Sequence, residues 1–128
     1  MTLQERAEKA AQLKATGACN CCQAVTNVFA DTVNVDEETL KALSAGFLAG
    51  MGCGEATCGA LIGANIIAGL RTGGNGTVKV SRALLAAFKE KCGATICREL
   101  KGFETGGVLC DCPNCVKNAV LSLGELLD

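Results

Sequence analysis

Ten cysteines and not one histidine in 128 residues set tight limits on what this chain can build. Without histidine there is no Ser-His-Asp triad, no Cys-His nucleophile pair and no His-held zinc or haem. A c-type haem attachment, C-x-x-C-H, is excluded on the same ground. Any metal must sit on thiolates, carboxylates or backbone oxygens. Ten thiols at a net charge of -1 favour soft-metal or redox chemistry over acid–base hydrolysis.

The rest of the composition narrows the class further. At 13.0 kDa and 49% hydrophobic, residues 1–128 make one domain and not a disordered chain. The 12 basic and 13 acidic residues form no basic patch, so no nucleic-acid partner is expected. Aromatics are 3% and all are Phe, which removes the stacking platforms of single-strand binders as well. Residues 1–14 mix charges and lack the apolar stretch of a secretory signal. The longest apolar run, 58–70, is broken by Asn65 and falls short of the roughly 20 residues a membrane span needs. The expectation is a cytoplasmic protein with no membrane partner, whose thiols stay reduced.

Helical periodicity dominates, and no strand alternation persists. The expected fold is all-α: a compact bundle of about five to six short helices with a buried central helix. Thr2 and Glu5 form a capping box ahead of a stripe of Leu3, Ala7, Ala10 and Ala11. Asn20 opens a second helix, with Gln23 three residues on and a stripe of Cys21, Ala24, Val25, Val28 and Phe29. That register turns Cys21 inward and Cys22 about 100° away. Asp36 opens a third helix carrying Leu40, Leu43, Phe47 and Leu48, and Gly50 to Gly54 reads as a flexible loop. A fourth helix, 55–70, is apolar nearly all round and should be the most buried. Its Gly59 and Gly63 admit a neighbouring backbone. A fifth helix, 79–91, buries Val80, Leu84, Ala87 and Phe88, and a short helix or turn holds Cys97, Arg98 and Leu100. The last helix starts at Cys112-Pro113, and its stripe is Val116, Ala119, Val120, Leu123 and Leu127.

Mapped onto these elements, the thiols gather at helix starts: Cys21 and Cys22, Cys58, Cys97, then Cys112 and Cys115. Free N–H groups and the helix dipole there favour thiolate over thiol, and they donate to the sulfurs of an anionic cluster. Cys19–Cys22 and Cys112–Cys115 are C-x-x-C pairs, separated by almost the whole chain. Arg98, beside Cys97, is a candidate cation for a thiolate or cluster. Gly73-Gly74-Asn75-Gly76 is no phosphate loop, since no strand precedes it and no Gly-Lys-Ser/Thr follows.

Cys58-Gly59-Ala60-Leu61-Ile62-Gly63 resembles the central motif of the redox-active proteins known by the pattern C-GCAxxG-C-C. This chain reads C-G-A where the pattern's name reads G-C-A. Asn20-Cys21-Cys22-Gln23-Ala24-Val25 is similar to that family's first segment, Cys97-Arg98-Glu99-Leu100 to its third, and Cys112-Pro113 with Val116 to its fourth. The order and spacing match over residues 15–125. The resemblance implies a small all-helical protein of anaerobes. It also implies kinship with the non-haem domain of split-Soret cytochromes, which are dimeric and suspected of holding an iron–sulfur cluster.

On this reading Cys21, Cys58, Cys97 and Cys112 ligate an iron–sulfur cluster of unspecified type that transfers electrons to a redox partner protein. Cys19, Cys22, Cys53, Cys92, Cys110 and Cys115 are candidate further ligands. A thiol–disulfide oxidoreductase using a C-x-x-C pair, and a thiolate protein for zinc or Cu(I), are the open alternatives. A homodimer is expected, partly from the resemblance and partly from the high apolar content of a short chain.

Overall fold

The computed structural model describes residues 1–127. They form seven α-helices, joined by short turns and without a strand. These are α1 (Leu3–Ala15), α2 (Cys21–Val28), α3 (Glu37–Ser44), α4 (Gly59–Thr72), α5 (Thr77–Cys92), α6 (Cys97–Lys101) and α7 (Cys112–Leu127). No helix among the described residues is long and apolar enough to cross a membrane.

The starts are fixed by side chains that satisfy free backbone donors. Thr2 Oγ1 accepts from the Glu5 N–H at 3.1 Å, and Glu5 returns the bond to the Thr2 N–H at 3.0 Å. Asn20 and Gln23 repeat this capping box on α2, at 2.8 and 3.1 Å. Asp36 accepts from the Thr39 N–H at 2.7 Å, and Asp111 from the Asn114 N–H at 2.9 Å. Each such cap is worth about 1 kcal/mol.

The bundle is organised around α7 and α2. Helix α7 packs on α1, α2, α4 and α5, and α2 packs on α1, α3, α4 and α7. Val25, Phe29, Ile67, Leu84, Phe88, Leu100, Val116, Val120 and Leu123 fill the space between them, fully enclosed. The α2–α4 contact is close because α4 carries glycine. A Cβ at Gly63 would lie 2.7 Å from the Cys22 carbonyl oxygen, and no residue larger than glycine fits there without moving α2.

Several sequence expectations need correction. Helix α4 is buried along one side, but Leu70 is exposed and Ile62, Asn65 and Ile66 are only half-buried. Helix α2 is enclosed more completely: Cys21, Cys22, Ala24, Val25, Thr26 and Val28 are all buried. The apolar character of α4 exceeds what its neighbours cover, whereas α2 has a helix on every side. For the same reason Cys22 is as buried as Cys21, although the two point about 100° apart. Helix α3 stops at Ser44, and a single 3₁₀ turn over Ala45–Phe47 changes the chain's direction. The expected stripe therefore ends at Leu40, and Leu43 and Leu48 face solvent. Helix α4 begins at residue 59, not 55, because the chain before it is held in other contacts. Val80 and Ala87 on α5 are half-buried.

Candidate functional site: a cavity walled by cysteine sulfurs

Two short backbone pairings bring the middle of the chain to one place. The Cys58 N–H donates to the Thr95 carbonyl at 2.8 Å, and the Cys97 N–H to the Ala56 carbonyl at 3.0 Å. They flank a single antiparallel bridge between Thr57 and Ile96. The starts of α4 and α6 are thereby tied side by side, each with its cysteine at the tie. Residues 50–54, expected as a flexible loop, form an irregular turn with defined bonds. The Gly54 N–H reaches the Ala49 carbonyl at 2.9 Å, and the Ala56 N–H the Gly50 carbonyl at 3.3 Å. Ala49 (φ 50°) and Met51 (φ 62°) are held left-handed, which costs non-glycine residues about 1–3 kcal/mol each. The turn presses Gly50 against α6: a Cβ there would lie 2.7 Å from the Cys97 Cβ.

The result is a cavity of about 30 Å³ lined by Cys21, Cys58, Cys97, Cys112, Cys115 and Lys101, with Lys14 at its edge. The four cysteines singled out from the sequence thus share one cavity, and each stands at the start of a different helix. A space this small holds about two to three water-sized spheres. Whatever fills it is gripped directly by the sulfurs.

The polar surroundings of these sulfurs differ. Cys58 is lowered to about 7, first by its hydrogen bond with Cys115 and against the effect of burial. The amides of Ala60 and Leu61 in the first turn of α4, and the Lys101 charge, lower it further. Burial raises Cys21 and Cys97. Cys21 Sγ lies 3.9 Å from the Phe47 carbonyl oxygen. Lys101 donates a hydrogen bond to Cys112 Sγ. Burial works against the Lys101 charge, but that bond and the nearby sulfurs of Cys112, Cys97 and Cys58 raise it above the ordinary lysine value.

Behind the cavity lies a second group of thiols. The sulfurs of Cys92, Cys110 and Cys115 all lie within 4.8 Å of one another, and all three residues are buried. Cys92 and Cys110 Sγ are 3.4 Å apart, and the Asn118 amide donates to Cys92 Sγ at 3.3 Å. Cys92 is lowered to about 6, first by its bond with Cys115 and then by Asn118 and Cys110. Cys115 is pushed far up by its bonds to Cys58 and Cys92 and by burial. Its bonds to Cys58 and Cys92 link the two groups. Burial pushes Cys110 up to about 11 and Cys22 up to about 12.

The remaining cysteines are not brought to either group. Cys19 lines a separate cavity with Gln23, Glu37, Glu38 and Lys41. Cys53 is exposed, its thiol donating to the Gly50 carbonyl at 3.6 Å. Cys22 is fully buried where α2 meets α4 and does not line the cavity. The expected cation, Arg98, is a correction. It pairs with Glu104 at 3.2 Å and lines a cavity on another face. One residue past Cys97 on a helix is about 100° round from it. Lys101, one turn on, shares the cysteine's face. That i, i+4 spacing was the signal for Lys101, and the i, i+3 spacing from Cys112 was the signal for Cys115.

An all-helical chain that gathers five thiols and a half-buried lysine around one cavity defines a cysteine-centred protein of redox or soft-metal type. Residues 19–126 match the family described as "Putative redox-active protein (C_GCAxxG_C_C)", and the chain belongs to that family. No curated protein and no solved structure matches the chain.

Proposed function

We propose that the protein carries electrons through an iron–sulfur centre held by Cys21, Cys58, Cys97 and Cys112. The observation that carries this reading is the shared cavity, which collects one thiol from each of four helix starts. The donor chemistry fits such a group. The ligands on offer are soft sulfurs with no imidazole. The amides of Ala60 and Leu61 point at one of them. The half-buried Lys101 supplies positive charge where several anionic sulfurs would meet. Bound there, an iron–sulfur cluster would supply reversible electron exchange.

The chain's own residues do the rest. The four helix starts fix the sulfurs, so little reorganisation accompanies a change of charge. Lys101 holds a positive charge against Cys112. Helices α4 and α7 close the inner side of the cavity and limit access of water.

A second reading, thiol–disulfide exchange by Cys112 and Cys115, is favoured by one observation: a C-x-x-C pair at the start of α7 with the Lys101 ammonium on its first sulfur. An ultraviolet–visible spectrum of protein purified without oxygen separates the two. Broad visible absorption with iron and acid-labile sulfide supports the cluster. A colourless, iron-free protein that stays colourless after reconstitution overturns it. The homodimer and the redox partner protein belong to the same proposal, and sedimentation showing only monomer at micromolar concentration would remove the dimer.

A further inference from the structure

The sulfurs of Cys92, Cys110 and Cys115 are not needed by the four-cysteine centre, although Cys115 also lines its cavity, and they have a geometry of their own. Cys92 ends α5, Cys110 precedes α7 and Cys115 lies one turn into α7, so the packing of α5 on α7 assembles them. A metal about 2.3 Å from each of three sulfurs requires sulfurs roughly 3.8–4.0 Å apart. Here they are 3.4 Å apart at one pair and within 4.8 Å at all. Small side-chain adjustments close the difference.

We propose that Cys92, Cys110 and Cys115 form a second metal site, a three-sulfur site for monovalent copper. Two observations select the ion. The donors are all soft sulfur, which favours Cu(I) among the first-row metals. No carboxylate joins the group within ligand distance among the described residues, and the chain has no histidine, so the fourth ligand that structural zinc takes would have to be Cys58, which is bonded to Cys115 but assigned to the front centre. The nearest polar side chain, Asn118, presents its amide N–H₂ to Cys92 at 3.3 Å and to Cys110 at 3.9 Å. It acts there as a donor to metal-bound sulfur and not as a ligand. Binding releases to solvent whatever thiol protons Cys92, Cys110 and Cys115 hold, and no electron is transferred. The site stands whether or not the front cavity holds iron, because Cys115 is not among the four cysteines assigned to that centre.

The test uses the full-length, iron-free chain carrying Cys21→Ser, Cys58→Ser, Cys97→Ser and Cys112→Ser, which leaves Cys115 as the one sulfur lining the front cavity. Cu(I) is titrated in without oxygen against a chromophoric Cu(I) chelator. The expected result is one tightly held copper whose X-ray absorption shows three sulfurs and no nitrogen. Adding Cys92→Ser and Cys110→Ser should weaken binding by more than the roughly 10- to 100-fold that loss of an outer-shell partner costs. Asn118→Ala, which leaves every sulfur in place, should weaken it by about that smaller factor. Far-ultraviolet circular dichroism establishes that each variant is folded, and the Asn118 variant serves if the serine variants are not. Unchanged copper affinity on loss of Cys92 and Cys110, or in Asn118→Ala, would overturn the site. So would one Zn²⁺ held there in preference to Cu(I). Iron content of the unsubstituted chain is a separate readout, so failure of the copper site and failure of the iron centre are distinguishable.

Discussion

Gly59 touches Cys21: a Cβ built on Gly59 would lie 2.5 Å from the Cys21 sulfur and closer still to the Phe47 carbonyl oxygen. The glycine after Cys58 therefore sets how near the first cysteine can stand to the second. Gly59→Ala should displace Cys21, reduce bound metal and destabilise the fold by about 1–3 kcal/mol, the usual cost of overpacking. Gly63→Ala, which crowds the Cys22 carbonyl instead of the Cys21 sulfur, should cost similar stability yet lose less metal than Gly59→Ala. Thermal melts with metal analysis check this. Equal metal loss in both variants would contradict a specific role for Gly59.

Lys101 is the lysine that donates to a cysteine sulfur of the cavity. Replacing it by methionine keeps an unbranched side chain one atom shorter and removes the charge beside Cys112, Cys97 and Cys58. The reduction potential of a bound cluster should fall, because an added electron loses a nearby positive charge. The size is on the order of 100 mV for a charge several ångströms away in a partly screened setting. Arg98→Met, at the Glu104 pair, should change the potential far less. Protein-film voltammetry compares the two.

Away from the site, Arg6 ties α1 to the turn after α2. It grips Asp31 through two nitrogens at 2.6 and 2.9 Å, lies over the Phe29 ring at 5.4 Å and donates to the Val28 carbonyl. The Arg6 hydrogen bond holds Asp31 below its usual range. A depressed carboxylate adds stability that is full above the unfolded value near 3.8 and is lost as pH falls through the lower folded value. Asp31 is largely exposed, so Asp31→Asn should cost at most about 1 kcal/mol at neutral pH and nothing once the pH is below both values. Arg6→Ala should cost more and keep part of its cost in acid, because the ring and carbonyl contacts do not titrate. Denaturant melts at pH 7 and at pH 2 measure both. An equal cost for the two variants would contradict the multiple role of Arg6.

What could be read from the sequence follows how local each signal was. Thr2 with Glu5, Asn20 with Gln23, and Asp36 mark helix starts through bonds within four residues, and all three appear as expected. The convergence of Cys21, Cys58, Cys97 and Cys112 was legible only through the resemblance, since no spacing rule links positions so far apart. The tie that joins Cys58 to Cys97 lies in backbone bonds between residues 56–58 and 95–97, which carry no side-chain signature. The triad of Cys92, Cys110 and Cys115 depends on how α5 packs on α7, again a tertiary fact. Arg98 is adjacent to a cysteine in sequence, whereas Lys101 is adjacent on the helix.

The central claim is that Cys21, Cys58, Cys97 and Cys112 act as one unit. The most direct measurement is iron and acid-labile sulfide per chain after oxygen-free reconstitution, for the unsubstituted protein and for single serine variants. A hydroxyl is a poor replacement for a thiolate toward iron. The account predicts that Cys21→Ser, Cys58→Ser, Cys97→Ser and Cys112→Ser each lose most of the iron, sulfide and colour. Cys53→Ser and Cys19→Ser, which stand outside the cavity, should retain them. Full iron and colour in Cys58→Ser and Cys97→Ser would contradict it.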